Sequence, residues 1–123
     1  MAWKFDEKSP IYLQIANHIK MQIISHEIEP GQQLPTVRDL AEEAGVNPNT
    51  MQRAFTSLEQ ENMVFSVRTS GRFVTEDLQL IEEERHKLAQ TELKGFIDKM
   101  TKLGFSKDNL VTVLDQYIKG ESQ

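Results

Sequence analysis

TVRDLAEEAGVNPNTMQRAFTSLEQENMVFSVRTSGRFVT, residues 36–75, decides the fold. Thr36 can cap a helix, and Asp39 three residues on makes a capping-box candidate. Val37, Leu40, Ala41 and Ala44 recur at i, i+3, i+4 and i+7, the buried face of a short helix. Gly45 tolerates the positive φ that ends it. Asn47-Pro48 then restarts the chain, since Asn is a strong N-cap and Pro at the first helical position loses no hydrogen bond. Met51, Ala54, Phe55 and Leu58 repeat the apolar spacing. Two helices facing one core across a short Gly-containing turn form a helix-turn-helix. In that motif the N-terminal residues of the second helix enter the DNA major groove.

A hairpin follows. Val64, Phe65 and Val67 form one short strand, Arg68-Thr69-Ser70-Gly71 is turn material with Gly71 at the expected left-handed position, and Arg72 to Thr75 return. Phe55, Phe65 and Phe73 read as core aromatics at apolar spacing. The predicted fold is mostly α with a small β-hairpin: a winged helix-turn-helix over residues 1–76, then a C-terminal two-helix dimerisation element over 77–123.

Working outward, Trp3 and Phe5 alternate with polar residues, which predicts a short extended segment tucked against the core. Tyr12, Ile15, Ala16, Ile19 and Ile23 make one stripe, a helix to about residue 26, with Pro10 at N1 and Ser9 as its cap. Residues 27–35 read as a loop with a Pro-Gly turn. From Asp77 to Leu103 there is no proline, and helix formers dominate. Leu78, Ile81, Leu88, Leu93, Phe96, Ile97, Met100 and Leu103 give an interrupted stripe, with Gly95 marking a bend or a close helix contact, and Gly104 a stop. Ser106 is expected to cap a last helix whose face is Leu110, Val113, Leu114, Tyr117 and Ile118. The two C-terminal helices carry more apolar surface than a helical hairpin can hide. Leu88, Leu93, Phe96, Ile97, Met100, Leu110, Leu114 and Tyr117 are therefore predicted to bury against a second copy. A symmetric dimer would hold two recognition helices on half-sites ~34 Å apart. The bland alternative folds these helices back on the winged domain.

Composition removes several functions. The 123 residues contain no cysteine, so neither a disulfide framework nor a thiolate site is available. No apolar run approaches the ~20 residues of a membrane helix. The stretch MAWKFDEKSP lacks the apolar region of a signal peptide. His18, His26 and His86 have no metal-ligand spacing. Glu82-Glu83-Glu84-Arg85-His86-Lys87 fans around a helix and is read as a solvated, ion-paired face rather than an acid–base cluster. With no phosphate loop and no nucleophile elbow, neither an enzyme nor a cofactor or metal is expected. The net charge of −5 and pI of 5.2 run against nucleic-acid binding. The distribution is more favourable, because Arg38, Arg53, Arg68 and Arg72 lie on the elements that would meet DNA. Phosphates respond to the field within a Debye length of ~8–10 Å, not to the total charge.

Leu34-Pro35-Thr36-Val37-Arg38-Asp39-Leu40-Ala41, Gly45 to Thr50, Ala54, Leu58, Gly71 and Phe73-Val74, with Pro10 to Ile15 and Pro30-Gly31 upstream, resemble the GntR family of bacterial transcription regulators over residues 10–75. The short remainder resembles its YtrA-like subfamily, which lacks a large effector domain. The resemblance implies DNA contacts by Arg38, Asn47, Asn49, Thr50, Gln52, Gly71 and Arg72. Arg53, beside the start of the second helix, suits guanine or a phosphate. The resemblance also implies a cytoplasmic homodimer that represses its own or a neighbouring operon, often one encoding a transporter. Pro48 and Gln52 stand where many members carry arginine, so base preference does not transfer. Asn47 and Thr50 also fit as plain helix-start residues, and Arg53 as a solvated charge. Two other functions stay open: a winged-helix protein-interaction module without DNA binding, and an effector sensor with a small-molecule pocket between the two domains.

Overall fold

Helix α1 (Ile11–Ile24) turns Ile15, Ala16, Ile19 and Ile23 inward. In this computed structural model, which describes residues 3–120, α1 packs on α3 (Pro48–Gln60), and α3 on α2 (Val37–Ala44). Met1, Ala2 and 121–123, the outer ends of the two expected domains, lie outside the described residues. Pro10 is the N-cap of α1, not its first residue, and Ser9 does not cap it. With ψ of 142° Pro10 is still extended, and its carbonyl accepts from Leu13 and Gln14 at 3.1 and 3.3 Å. Gln14 organises the preceding turn instead, donating Nε2 to the carbonyls of Ser9 and Asp6 at 2.8 and 3.0 Å. The helix ends at Ile24, short of the expected residue 26, because His26 turns left-handed with φ of 64°. The Trp3 amide bonds the Ala44 carbonyl at 3.1 Å and its ring lies 4.2 Å from that of His18, so this segment is tied down as expected.

The motif forms as the spacing predicts. Thr36 accepts from the Asp39 amide at 3.1 Å, Gly45 closes α2 with φ of 76°, and Asn47 accepts from the Asn49 amide at 2.7 Å with Pro48 opening α3. Leu40, Ala41 and Ala44 are buried, and Met51, Ala54, Phe55 and Leu58 are fully so.

Strands β1 (Val64–Val67) and β2 (Gly71–Val74) pair antiparallel, Val64 opposite Val74 and Phe65 opposite Phe73. The period of two puts Val64 and Val74 on the covered face and both phenylalanines on the other. Phe65 is therefore 43% exposed and Phe73 half-buried, stacked on each other at 6.0 Å rather than sunk in the core. A hairpin with one covered face cannot bury both sets. The left-handed residue of the turn is Thr69 (φ 69°), not Gly71, since the Ser70 amide closes the turn onto Val67 at 3.0 Å. Gly71 opens β2 with φ of 119°. The expected loop at 27–35 contributes a rung: Gln33 bridges Phe73, Leu34 donates to the Arg72 carbonyl at 2.8 Å, and Val74 to that of Gln32 at 2.9 Å. Four residues between prolines, Gly31 to Leu34, leave no alternation by which to read this.

Helix α4 (Leu78–Lys102) runs unbroken through Gly95, and a Cβ there would meet nothing within 4 Å among the described residues, so no close helix contact explains that glycine. By compactness the chain divides between Glu84 and Arg85. Ile81 and Glu84 thus belong with the winged unit. Glu84 corrects the solvated reading of 82–87: only 9% exposed, it lies 3.4 Å from Lys20 Nζ, which is 8% exposed and also 2.8 Å from Glu61. The i+3 step from Ile81 carries Glu84 onto the inward face. In the second unit Ser106 caps α5 (Lys107–Ile118), its Oγ accepting from the Asn109 amide at 3.2 Å.

Candidate nucleic-acid interface

Three elements meet at one exposed notch of about 400 Å³: the start of α2, the second turn of α3 and the wing. Arg38, Gln52, Gly71 and Arg72, four of the residues expected to contact DNA, line it together with Gln33 and Thr36, which were not among those expected. Asn47 and Asn49 are exposed at the opening of α3, and Thr50 is half-buried beside them. Asn47 spends its Oδ1 on the cap, so its structural role is real, whatever else it meets. Gln52 is held along the helix by Thr56, whose hydroxyl lies 3.4 Å from its Nε2. The N-terminal amides of α3 add a partial positive charge where these polar side chains cluster.

The arginines differ. Arg38 and Arg68 are exposed, on α2 and at the wing tip. Arg53 lies outside the notch, with its guanidinium 4.1 Å from the centre of the Tyr12 ring, a cation–π contact between α3 and α1. Arg72 is on the covered side of the wing: its Nε sits 3.5 Å from Glu59 Oε2 and the guanidinium 5.1 Å over Phe55. Glu59 also accepts from Ser66 Oγ, so one carboxylate at the end of α3 grips both strands. Partial neutralisation by Glu59 reduces the field Arg72 offers outward, and alternation in β2 was the signal that could have foretold its inward side. Tyr12 and Glu59 as partners of arginine carry no sequence signal at all, because both pairings depend on how the helices cross.

The C-terminal candidates are mostly uncovered. Leu93, Phe96, Leu114 and Tyr117 are exposed, Leu88, Ile97 and Met100 half-buried, and Leu110 alone of these is buried. Leu93, Ile97 and Thr101 line a groove of about 690 Å³ within this unit. Among the described residues no three metal-ligating side chains converge, and no helix is long and apolar enough to cross a membrane.

The model of the bacterial regulatory proteins of the gntR family matches residues 11–74. The HTH-type transcriptional regulator YhcF of Bacillus subtilis is 35% identical over 117 residues, covering 95% of this chain and 97% of that protein. The transcriptional repressor YtrA of the same organism is 32% identical over 90 residues, 72% of this chain and 69% of that one. A GntR family transcriptional regulator from Listeria monocytogenes superposes with a TM-score of 0.82 at 37% identity, over 91% of this chain and 98% of its own. The DNA-binding domain of AraR, crystallised with operator ORX1, gives a TM-score of 0.55 at 28% identity over 58% of this chain and 93% of its own. The winged motif, its capped helices and these likenesses agree: the chain belongs to the GntR family of bacterial transcription regulators and is a DNA-binding winged helix-turn-helix protein, not an enzyme.

Proposed function

We propose that this chain acts as a homodimer that binds a specific operator and represses its own or a neighbouring operon, with transporter genes the expected targets. The observation that carries the reading is the meeting of Arg38, Gln52 and Arg72 at one notch beside the exposed Asn47-Pro48-Asn49 helix opening. Phosphate contacts from the arginines would set register, and Asn49 and Gln52 would read base edges. Operator binding by AraR and the repressor role in the name of YtrA support extending both properties to this chain. Residues 1–76 would meet DNA, and 77–123 would join two copies through the exposed apolar face of α4 and α5. Such a protein would act in the cytoplasm, where the operator is.

The test is a binding selection from random duplex DNA with the full chain, followed by titration of the selected site. Affinity should fall steeply with salt, with a log–log slope of roughly −5 to −8 for a dimer. Arg38→Ala should weaken all sites alike, whereas Asn49→Ala or Gln52→Ala should change the preferred bases. Failure to enrich any duplex at low salt sinks the proposal. It would favour the interaction-module reading, for which the internal engagement of Arg53 by Tyr12 and of Arg72 by Glu59 speaks.

A further inference from the structure

Gln33 lies in the rung that pairs with β2, and its side chain reaches across to the wing tip. Its Nε2 is 2.6 Å from the Ser70 carbonyl. A carbonyl oxygen only accepts, so the amide nitrogen must donate. Gly71 leaves room for this bond, since a Cβ there would fall 2.8 Å from the same nitrogen. The residue after Gln33 is also joined to the wing, Leu34 donating to the Arg72 carbonyl at 2.8 Å. Pro35 and Thr36 then lead directly into α2. The tip of a two-stranded hairpin is weakly held by itself. Here it is tied to the segment that starts the helix-turn-helix.

We infer that Gln33 is a positioning residue for operator binding. It latches the wing tip so that Arg68 and the Gly71 backbone are already placed when the recognition helix docks. The gain is pre-organisation: an unlatched tip must be ordered at the moment of binding, and that entropy is taken from affinity. This rests on the DNA-binding reading above. It adds that a residue outside the recognition helix and outside the hairpin sets how the wing engages.

The test compares the wild-type chain with Gln33→Ala and Gln33→Glu on the selected operator. Gln33→Glu keeps the shape but puts an acceptor against the Ser70 carbonyl. Both variants should bind about three- to tenfold more weakly, the worth of one hydrogen bond. Hydroxyl-radical protection should fade on the sugars beside the wing and persist beside the recognition helix. The melting temperature should hold, because Gln33 is exposed. A second readout is coupling. Gly71→Ala displaces Gln33 in the wild type, so its effect should be smaller in the Gln33→Ala background. Affinities within twofold of wild type with unchanged footprints, additive effects of the two substitutions, or a uniform loss of protection with a lowered melting point would each overturn the latch. Absence of binding by the wild-type chain would instead overturn the DNA-binding reading, and the latch with it.

Discussion

The winged unit and the C-terminal helices solve the same problem in opposite ways. In the first, Phe55, Ile15, Ile19, Met51, Leu58 and Met63 are shut off from solvent, and aliphatic residues from α1, α2, α3, the wing and the start of α4 complete the interior. In the second, Leu110 is the one apolar side chain buried among the described residues, while Tyr117 remains 82% and Ile118 73% exposed. Apolar area left in water forgoes about 25 cal/mol per Å². A single chain can thus close one core and leave the other half-made. The difference teaches where the proposed second copy would bind: the winged unit has its core already, and the C-terminal unit has the surface for one.

The severest way to break this comparison is Phe55→Ala. It empties the centre of the closed core and removes the ring beneath Arg72. A loss of about 3–5 kcal/mol is expected, read by urea unfolding followed by circular dichroism. The same truncation at the exposed Ile118 of a monomeric sample should cost under ~0.5 kcal/mol. Similar costs at the two sites would mean the cores do not differ as described.

Next comes the ion cluster where α4 joins the winged unit. Glu84→Ala leaves Lys20 buried with Glu61 alone. The expected loss is about 2–3 kcal/mol, below the ~3–5 of a fully buried pair because Glu61 still faces the ammonium. Lys20→Met combined with Glu84→Leu should recover most of it, since well-packed apolar groups replace such pairs without penalty. No recovery in the double variant would show that the charges do more than fill this seam.

The open face is tested by assembly. Tyr117→Asp and Leu114→Asp each replace an exposed apolar group with a charge. Each should weaken self-association by roughly 1.5–3 kcal/mol, about ten- to a hundredfold in dissociation constant, measured by sedimentation over a concentration series. The winged unit should stay folded throughout. A wild-type chain that sediments as a monomer at all concentrations would remove the need for a partner.

How far all this was legible from the residues follows the same divide. Within the helix-turn-helix the signals were local and mutually consistent: cap, spacing, Gly stop, Asn-Pro restart. Arg38, Gln52, Gly71 and Arg72 were expected to contact DNA from the family resemblance instead, and the structure brings these four side by side at the notch. What escaped depends on contacts between distant segments. Gln33 on Ser70, Glu59 on Arg72 and Lys20 between Glu61 and Glu84 have no periodicity to announce them. The two outward phenylalanines were misread for a different reason. Aromatic character suggested core, but the pleat decides the side, and the hairpin has only one covered face.

The two caps give the finest test, because their chemistry is the same in both units. Thr36 accepts the Asp39 amide at 3.1 Å and Ser106 the Asn109 amide at 3.2 Å. Each substitution to Ala should remove about 1 kcal/mol from its helix. What differs is how that loss is shared. In the closed core, Leu40, Ala41 and Ala44 couple α2 to everything around it, so Thr36→Ala should lower the global unfolding free energy by nearly the full amount. In α5 a single buried leucine provides little coupling. Ser106→Ala should therefore act locally, speeding amide exchange along α5 about fivefold while leaving the slowest amides of α3 unchanged. If instead Ser106→Ala accelerates exchange in α3 as much as in α5, the helices share one cooperative unit, and the contrast between a finished core and an unfinished one would fail at the level of energetics even though it holds for exposure.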